Sequence, residues 1–360
     1  MQIVVIGGGE IGTTTAFWLA RDGHAVTLIE RQPELAAEGS FANGGMLHVS
    51  HGEPWNSPQA VRQLLAWIGR EDSPLLLRPN RLAHLLGWGA RFLRNSTASR
   101  HRAATFANTR LARYSHTLMT TIRAEASIQD DGSDSGIAKI FWDAAELAAA
   151  TRWSELLQEL GVPYERWSSA EQLEREPALA ASAARLAGAL FYPDDATGDT
   201  CRFTRQLGAH CQRLGVDIRT STEVQRLEAA GRQIHTVVTD KGPLAVDQVV
   251  LANGPEAPQL IRPLGLNLPI EPVKGYSVTI DTGGIDGLPR LPLIDDRHKI
   301  VATPLGTRLR VAGTAEFTGF DRSHKPSDFK RMFETGQELF PGAFDPAKAE
   351  VWSGLRPMMP

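Results

Sequence analysis

The first thirty residues constrain this chain more than any other stretch. Gln2 to Ile6 is a short apolar run, QIVVI, that breaks at Gly7-Gly8-Gly9-Glu10-Ile11-Gly12. Helical spacing follows, and then a second apolar run, Ala25 to Ile29, closed by Glu30. The pattern predicts strand, tight turn, helix, strand, with a carboxylate at the tip of the second strand. Gly7 permits the sharp turn, Gly9 clears the approach of a pyrophosphate to the helix N-terminus, and Gly12 lets helix and strand pack closely. Glu30 stands where an acid accepts a hydrogen bond from an adenosine ribose. Glycine-rich turns also occur where nothing binds, but here the strand, the helix and the acid are all in place. The same acid would repel a 2′-phosphate despite the neighbouring Arg31, which favours FAD or NAD over NADP.

At 360 residues the chain exceeds the usual single-domain range, so two interleaved domains are expected. The net charge of -3 suggests no general affinity for nucleic acid. The two cysteines, Cys201 and Cys211, have no partner at metal-ligand spacing, so no metal is expected and inert thiols in a reducing compartment fit. The fingerprint strand starting at residue 2 leaves no room for a signal peptide, and no apolar run approaches the roughly 18 residues of a membrane span. The expectation is a cytoplasmic protein, soluble or peripheral on the inner face of the membrane.

Past Glu30, the small residues Gly39 to Gly45 cannot build a core and read as a loop whose backbone approaches something closely. A surface loop is one reading. The sharper one is a second cofactor contact, with Ser40 and Asn43 donating to the diphosphate and Gly44-Gly45 passing under a flavin ring. His48 and His51 are candidates for direct roles, or polar fillers. Residues 61 to 102 carry eight arginines against Glu71 and Asp72, interleaved with Leu64, Leu65, Trp67, Ile68, Leu85, Leu86, Trp88 and Phe92. That pattern fits solvated helices, or adsorption to an anionic membrane.

A helix is expected over 103 to 126 with Leu111, Tyr114, Leu118 and Ile122 on one face, a capping box at Ser169 to Gln172, and a helix over Cys201 to Leu214. The run Leu244 to Leu251 ends in Ala252-Asn253-Gly254, repeating the opening strand-turn logic. From Pro272 the alternation of Val273 to Ile280, Ile300 to Ala302 and Leu309 to Gly313 predicts an antiparallel sheet, a natural roof over a flavin.

Taken in order, these stretches resemble the FAD-dependent D-amino-acid oxidase superfamily, most closely the bacterial D-amino-acid dehydrogenases. The residues that carry the resemblance are Gly7 to Gly12 with Glu30, Ser40 to Gly45, Tyr192 to Asp199, Leu251 to Gly254, Pro272 to Ser277, and Trp352 to Pro357. It implies an α/β fold: a Rossmann-like FAD-binding domain of the glutathione-reductase type, interleaved with a substrate domain of antiparallel sheet plus helices. The expected division is 1-60 and 199-265 for the FAD-binding domain, 61-198 for the substrate domain and 266-350 for its sheet. Residues 351-360 would begin a C-terminal FAD-binding part.

The resemblance also implies oxidation of a D-amino acid by hydride transfer to flavin N5, the imino acid then hydrolysing to a 2-oxo acid and ammonia. Arg356 matches the family's carboxylate-binding arginine, Tyr276 is positioned on a strand to assist it, and His48 is a further substrate candidate. Ile11, Arg31 and Val224 join the cofactor-binding set of Gly7, Gly9, Gly12, Glu30, Ser40, Asn43, Gly44, Gly45, Asn253 and Gly254. The arginine-proline motif of the family continues into a segment covering the flavin, whereas this sequence ends at Pro360. Alternatives therefore stand beside the leading reading: a hydroxy-D-proline or glycine/sarcosine-type oxidoreductase, a non-catalytic truncated remnant, or an NAD-dependent dehydrogenase resting on the fingerprint alone. The electron acceptor implied by the basic segment is a membrane quinone.

Overall fold

The structure, a computed structural model, describes residues 1–58, 61, 75–77, 81–283, 287–342 and 344–360. Leu64, Leu65, Trp67 and Ile68 of the basic segment lie outside these residues. Strand β1 (Gln2–Ile6), helix α1 (Glu10–Arg21) and strand β2 (Ala25–Ile29) follow the opening pattern. β1 and β2 pair in parallel, and Gln248–Leu251 and Asp217–Arg219 extend them to a four-stranded sheet. Parallel strands need cover on both faces. On one side Val5 and Leu28 pack against Phe17 of α1 and against Phe203 and Leu207 of the helix Thr200–Arg213. On the other, Val4, Ile6 and Ile29 pack against Leu227 and Val237 of a small three-stranded antiparallel sheet.

A second, nine-stranded sheet faces this layer. Its order runs Ala349–Met358, Glu271–Asp281, Arg308–Phe317, Ile300–Leu305, Leu293–Asp295, Ile137–Phe141, Gly188–Tyr192 and Glu165–Trp167, with Leu75–Leu77 also paired to Arg308–Phe317. Strands from the 137–192 region and from beyond residue 270 thus share one sheet. Residues 349 to 358 run along Glu271–Asp281 as an edge strand, from Ile280↔Ala349 to Glu271↔Met358.

Alternation along these strands sorts the side chains onto two faces. Tyr276, Val278, Ile280, Leu309 and Val311 pack against Phe329, Met332 and Leu339, at and within the helix Lys330–Leu339. The opposite face carries Trp352, Ser277, Ala312, Val301, Ile294 and Lys139, cross-strand partners in one row. Two local expectations shift. The long helix spans Ala98–Ala126 and buries Thr105, Thr109, Ile122 and Ala126, leaving Leu111 and Tyr114 exposed, because small residues let it approach the rest of the chain closely. The capping box is Ser168 with Glu171, one residue earlier than the pattern suggested.

Candidate active site

The fingerprint turn shows which of its glycines the chain itself demands. Gly7 has φ +110°, and a Cβ there would sit 2.5 Å from the Ala252 carbonyl oxygen. A Cβ on Gly12 would meet the Gly7 carbonyl oxygen at 1.8 Å. Gly9 differs: its φ is -76°, and a Cβ would have only the Ser40 Oγ as a close neighbour, at 3.1 Å. The space beside Gly9 is therefore open on the side of the α1 N-terminus, where backbone N–H groups favour an anion.

The other predicted cofactor residues gather around this turn. Glu30 is buried and accepts from the Gly8 N–H at 2.7 Å and the Gln32 N–H at 2.8 Å, so it braces the turn with lone pairs to spare. The Ser40 hydroxyl oxygen accepts from the Glu10 N–H at 3.0 Å, joining the second loop to the first. Ile11 follows on α1, exposed. The segment leading to Val224 runs beside Glu30, whose carbonyl accepts from the Thr222 N–H at 2.9 Å. Asn253 adjoins Gly7, and its Oδ1 is buried without a hydrogen-bond partner; a polar ligand at the turn would satisfy it. Gly254 adopts φ +58° directly after it.

Arg31 is engaged otherwise than expected. Its guanidinium binds Glu38 at 2.9 Å and Glu256 at 3.0 Å. Burial pulls its pKa down, but Glu256 and Glu38 outweigh that and leave it raised. Arg322 reaches the same two carboxylates, closing a ring of four charges. Arg31 thus holds together segments that surround the turn.

The loop at 39–45 is held from above. Three consecutive carbonyls are taken by side chains from three different strands: Ala42 accepts from the Ser277 hydroxyl at 2.7 Å, Asn43 from Arg310 at 3.2 Å, and Gly44 from the Thr303 hydroxyl at 2.7 Å. The Asn43 Oδ1 accepts from the Gly45 N–H at 3.1 Å and from the Thr200 hydroxyl at 2.9 Å and so shapes the loop from within. Gly45 takes φ +65°. Arg310 is itself buried, which lowers its pKa, and rests on Asp199 at 3.3 Å. For Asp199, burial opposes ionisation, yet the Arg202 N–H, Arg310 and Arg308 together hold its pKa down. Sequence reading missed Thr303, Arg310 and Ser277 as loop anchors. Their polar character at alternate positions of otherwise apolar strands was the available signal.

On the sheet, Arg356 and Tyr276 part company. Arg356 lies over Gly275, where a Cβ would come within 2.5 Å of the guanidinium carbon. Its Nη1 donates to the Thr314 carbonyl at 3.0 Å, and no carboxylate pairs with it among the described residues. Its residue is exposed to solvent, while the protein atoms around the guanidinium lower its pKa by desolvation. Tyr276 points through the opposite face, 2% exposed, with its hydroxyl on Glu316 and its ring edge-on to Phe329. A strand cannot send neighbouring positions to one side, so Tyr276 does not touch a ligand held by Arg356.

His48 is 3.4 Å from Asp195, which also accepts from the N–H groups of Val49 and Ser50. Its ring lies 5.3 Å from that of His51. Near His51 the Lys139 ammonium pairs with Asp296 at 3.1 Å, a polar cluster drawn from segments far apart in the chain. Cys201 and Cys211 are buried free thiols, and burial pushes Cys211 up to about 12, which suits inert side chains.

Comparison with known proteins accords with this geometry. Residues 2–360 match the family described as FAD dependent oxidoreductase. The chain is 42% identical over 361 residues to a D-amino acid dehydrogenase of Paramagnetospirillum magneticum, covering 100% of this chain and 86% of that protein. It is 40% identical to D-amino acid dehydrogenase 2 of Mesorhizobium japonicum, covering 100% of this chain and 87% of that one. Among solved structures, glycine oxidase from Geobacillus kaustophilus superposes with a TM-score of 0.75 at 23% identity, over 99% of this chain and 82% of that one. L-proline dehydrogenase from P. horikoshii gives 0.74 at 19% identity, over 98% and 80%.

Proposed function

We propose D-amino acid oxidation for this chain, which belongs to the FAD dependent oxidoreductase family. The open space at Gly9, the α1 N-terminus and the orphaned Asn253 oxygen fit the diphosphate of FAD, with Glu30 beside them for the ribose. Once bound, FAD supplies the two-electron acceptor for the hydride that leaves the substrate α-carbon. The chain's own task is to bind and orient. Arg356 grips the substrate carboxylate through parallel N–H groups, which fixes direction as well as charge and so selects the stereoisomer. The substrate amine, once neutral, donates its lone pair as the hydride leaves. Water then hydrolyses the imine to a 2-oxo acid and ammonia.

One observation carries this reading: Arg356 is an exposed guanidinium lying over Gly275 and anchored by the Thr314 carbonyl, with no carboxylate partner among the described residues, whereas Arg308, Arg310, Arg31 and Arg322 all have one. The names of the relatives favour D-amino acids over the glycine/sarcosine and hydroxyproline alternatives. Anaerobic D-alanine is expected to bleach the flavin absorbance and L-alanine to leave it intact. Arg356→Lys keeps the charge but loses the fork. It is expected to raise the half-saturating D-alanine concentration about 10- to 100-fold, since a charge-assisted hydrogen bond contributes roughly 1.5–3 kcal/mol. An unchanged value would place the carboxylate elsewhere.

The electron acceptor proposed is a membrane quinone, reached by peripheral contact. Among the described residues no helix is long and apolar enough to cross a membrane. The helix Leu82–Asn95 exposes Leu86 and Leu93, and a groove beside it is lined by Arg91, Arg94 and Arg100, none paired with an acid among the described residues. Apolar side chains among arginines suit an anionic lipid surface. Co-sedimentation with anionic vesicles at low salt supports the contact, and its absence removes it.

A further inference from the structure

We propose that Tyr276 and Glu316 are positioning residues for Arg356, acting from the back of the sheet through a bulge at Thr314. The inference rests on the reading of Arg356 as the carboxylate clamp. Between the pairs Tyr276↔Gly313 and Lys274↔Glu316, one residue of the first strand opposes two of the second. The extra residue puts Thr314 at φ 57°, in the left-handed region that a β-branched side chain disfavours. Such a conformation persists only where the surroundings over-determine it. Its result is visible: the Thr314 carbonyl is the acceptor that holds Arg356 Nη1 at 3.0 Å.

What holds the bulge lies on the other face. Glu316, just beyond it, is 3% exposed, takes the Tyr276 hydroxyl, and lies 3.8 Å from the Lys274 ammonium. Lys274 is equally buried and donates to the Ser323 carbonyl at 2.7 Å, with Asp321 at 3.5 Å. Tyr276 and Lys274 flank Gly275, the floor under Arg356. The Tyr276–Glu316 bond therefore spans the irregular step in register and ties together the strand pair that supplies both the floor and the acceptor. A buried polar network of this kind is rigid when its groups are satisfied.

The test uses the FAD-loaded protein and four forms: wild type, Tyr276→Phe, Arg356→Lys and the double variant. Tyr276→Phe removes one hydroxyl and keeps the packing on Phe329. It is expected to raise KM for D-alanine, and the Kd of a non-reacting carboxylate such as benzoate read from the flavin spectrum, about five- to tenfold. Flavin content and kcat should stay within twofold. In the Arg356→Lys background the same change is expected to add less than twofold, because the two act through one contact. If Tyr276→Phe lowers only the melting temperature and leaves both constants unchanged, or if its effect persists fully in the Arg356→Lys background, the positioning role is overturned. If Arg356→Lys itself moves neither constant, the clamp reading fails instead, and the two failures are thus distinguishable.

Discussion

The fingerprint turn and the platform under Arg356 both depend on glycine, for different physical reasons. At Gly7 and Gly12 an added Cβ collides with backbone, 2.5 Å from the Ala252 oxygen and 1.8 Å from the Gly7 oxygen. At Gly275 it collides with the end of a long side chain, the guanidinium of Arg356. Backbone in a packed strand-turn-helix cannot yield, so the first kind of glycine protects the fold. A guanidinium can move, so the second kind protects a position in the cleft. Gly9 is a third kind: the chain presses on it only through Ser40, and its glycine leaves room for the cofactor.

Substitutions that exploit this difference can break it. The largest effect is expected for Gly12→Ala, which should abolish soluble folded protein, measured as yield and as the loss of a cooperative thermal transition. Gly9→Val comes next. Its protein should fold with a melting temperature near that of the unloaded wild type, yet the flavin-to-protein absorbance ratio should fall at least tenfold; a yellow, stoichiometric Gly9→Val protein would refute the placement of the diphosphate. Gly275→Ala is expected to fold and to retain flavin while KM for D-alanine rises about tenfold, since the guanidinium must leave its floor. Were Gly275→Ala to behave like Gly12→Ala, the distinction between the two kinds of glycine would fall.

The smallest effect concerns acid stability at the polar cluster. Desolvation, helped by His48 and Lys139 and opposed by Asp296 and Asp195, lowers His51 from 6.5 to about 3. A lowered histidine is neutral in the fold and takes a proton on unfolding, so its contribution is present above about pH 6.5 and is lost as pH falls towards the folded value. His51 is exposed to solvent, which keeps the effect small. His51→Gln is expected to flatten, by a few degrees at most, the fall of melting temperature between about pH 6.5 and 4. A steeper fall in the variant would reverse the sign argued here.

Legibility in the sequence followed the range of the interactions. The turn at Gly7–Gly12, the acid at Glu30, the loop at 39–45 and the alternation beyond Pro272 are local patterns, and the chain folds there as they indicate. The amide oxygen of Asn43 serves Gly45 within its own loop and Thr200, 157 residues away. Tyr276 was placed correctly on its strand, but on the wrong face for a ligand. Arg31 was placed beside Glu30, but its charge belongs to Glu38 and Glu256. For Tyr276 and Arg31 the deciding partners, Glu316 and Glu256, lie 40 and 225 residues away in the chain.

The sequence by itself determined the two-layer α/β architecture and the dinucleotide site, because glycine spacing and strand alternation are patterns within single segments and the strand-tip carboxylate lies only 22 residues from the turn it braces. The tertiary structure alone decided that Ser277, Arg310 and Thr303 grasp three successive carbonyls of one loop. It decided equally that the 349–358 strand joins the roof, and that a bulge at Thr314 gives Arg356 its anchor. Register and face are set by pairing between segments up to hundreds of residues apart, and a one-residue change in either exchanges the cleft for the core.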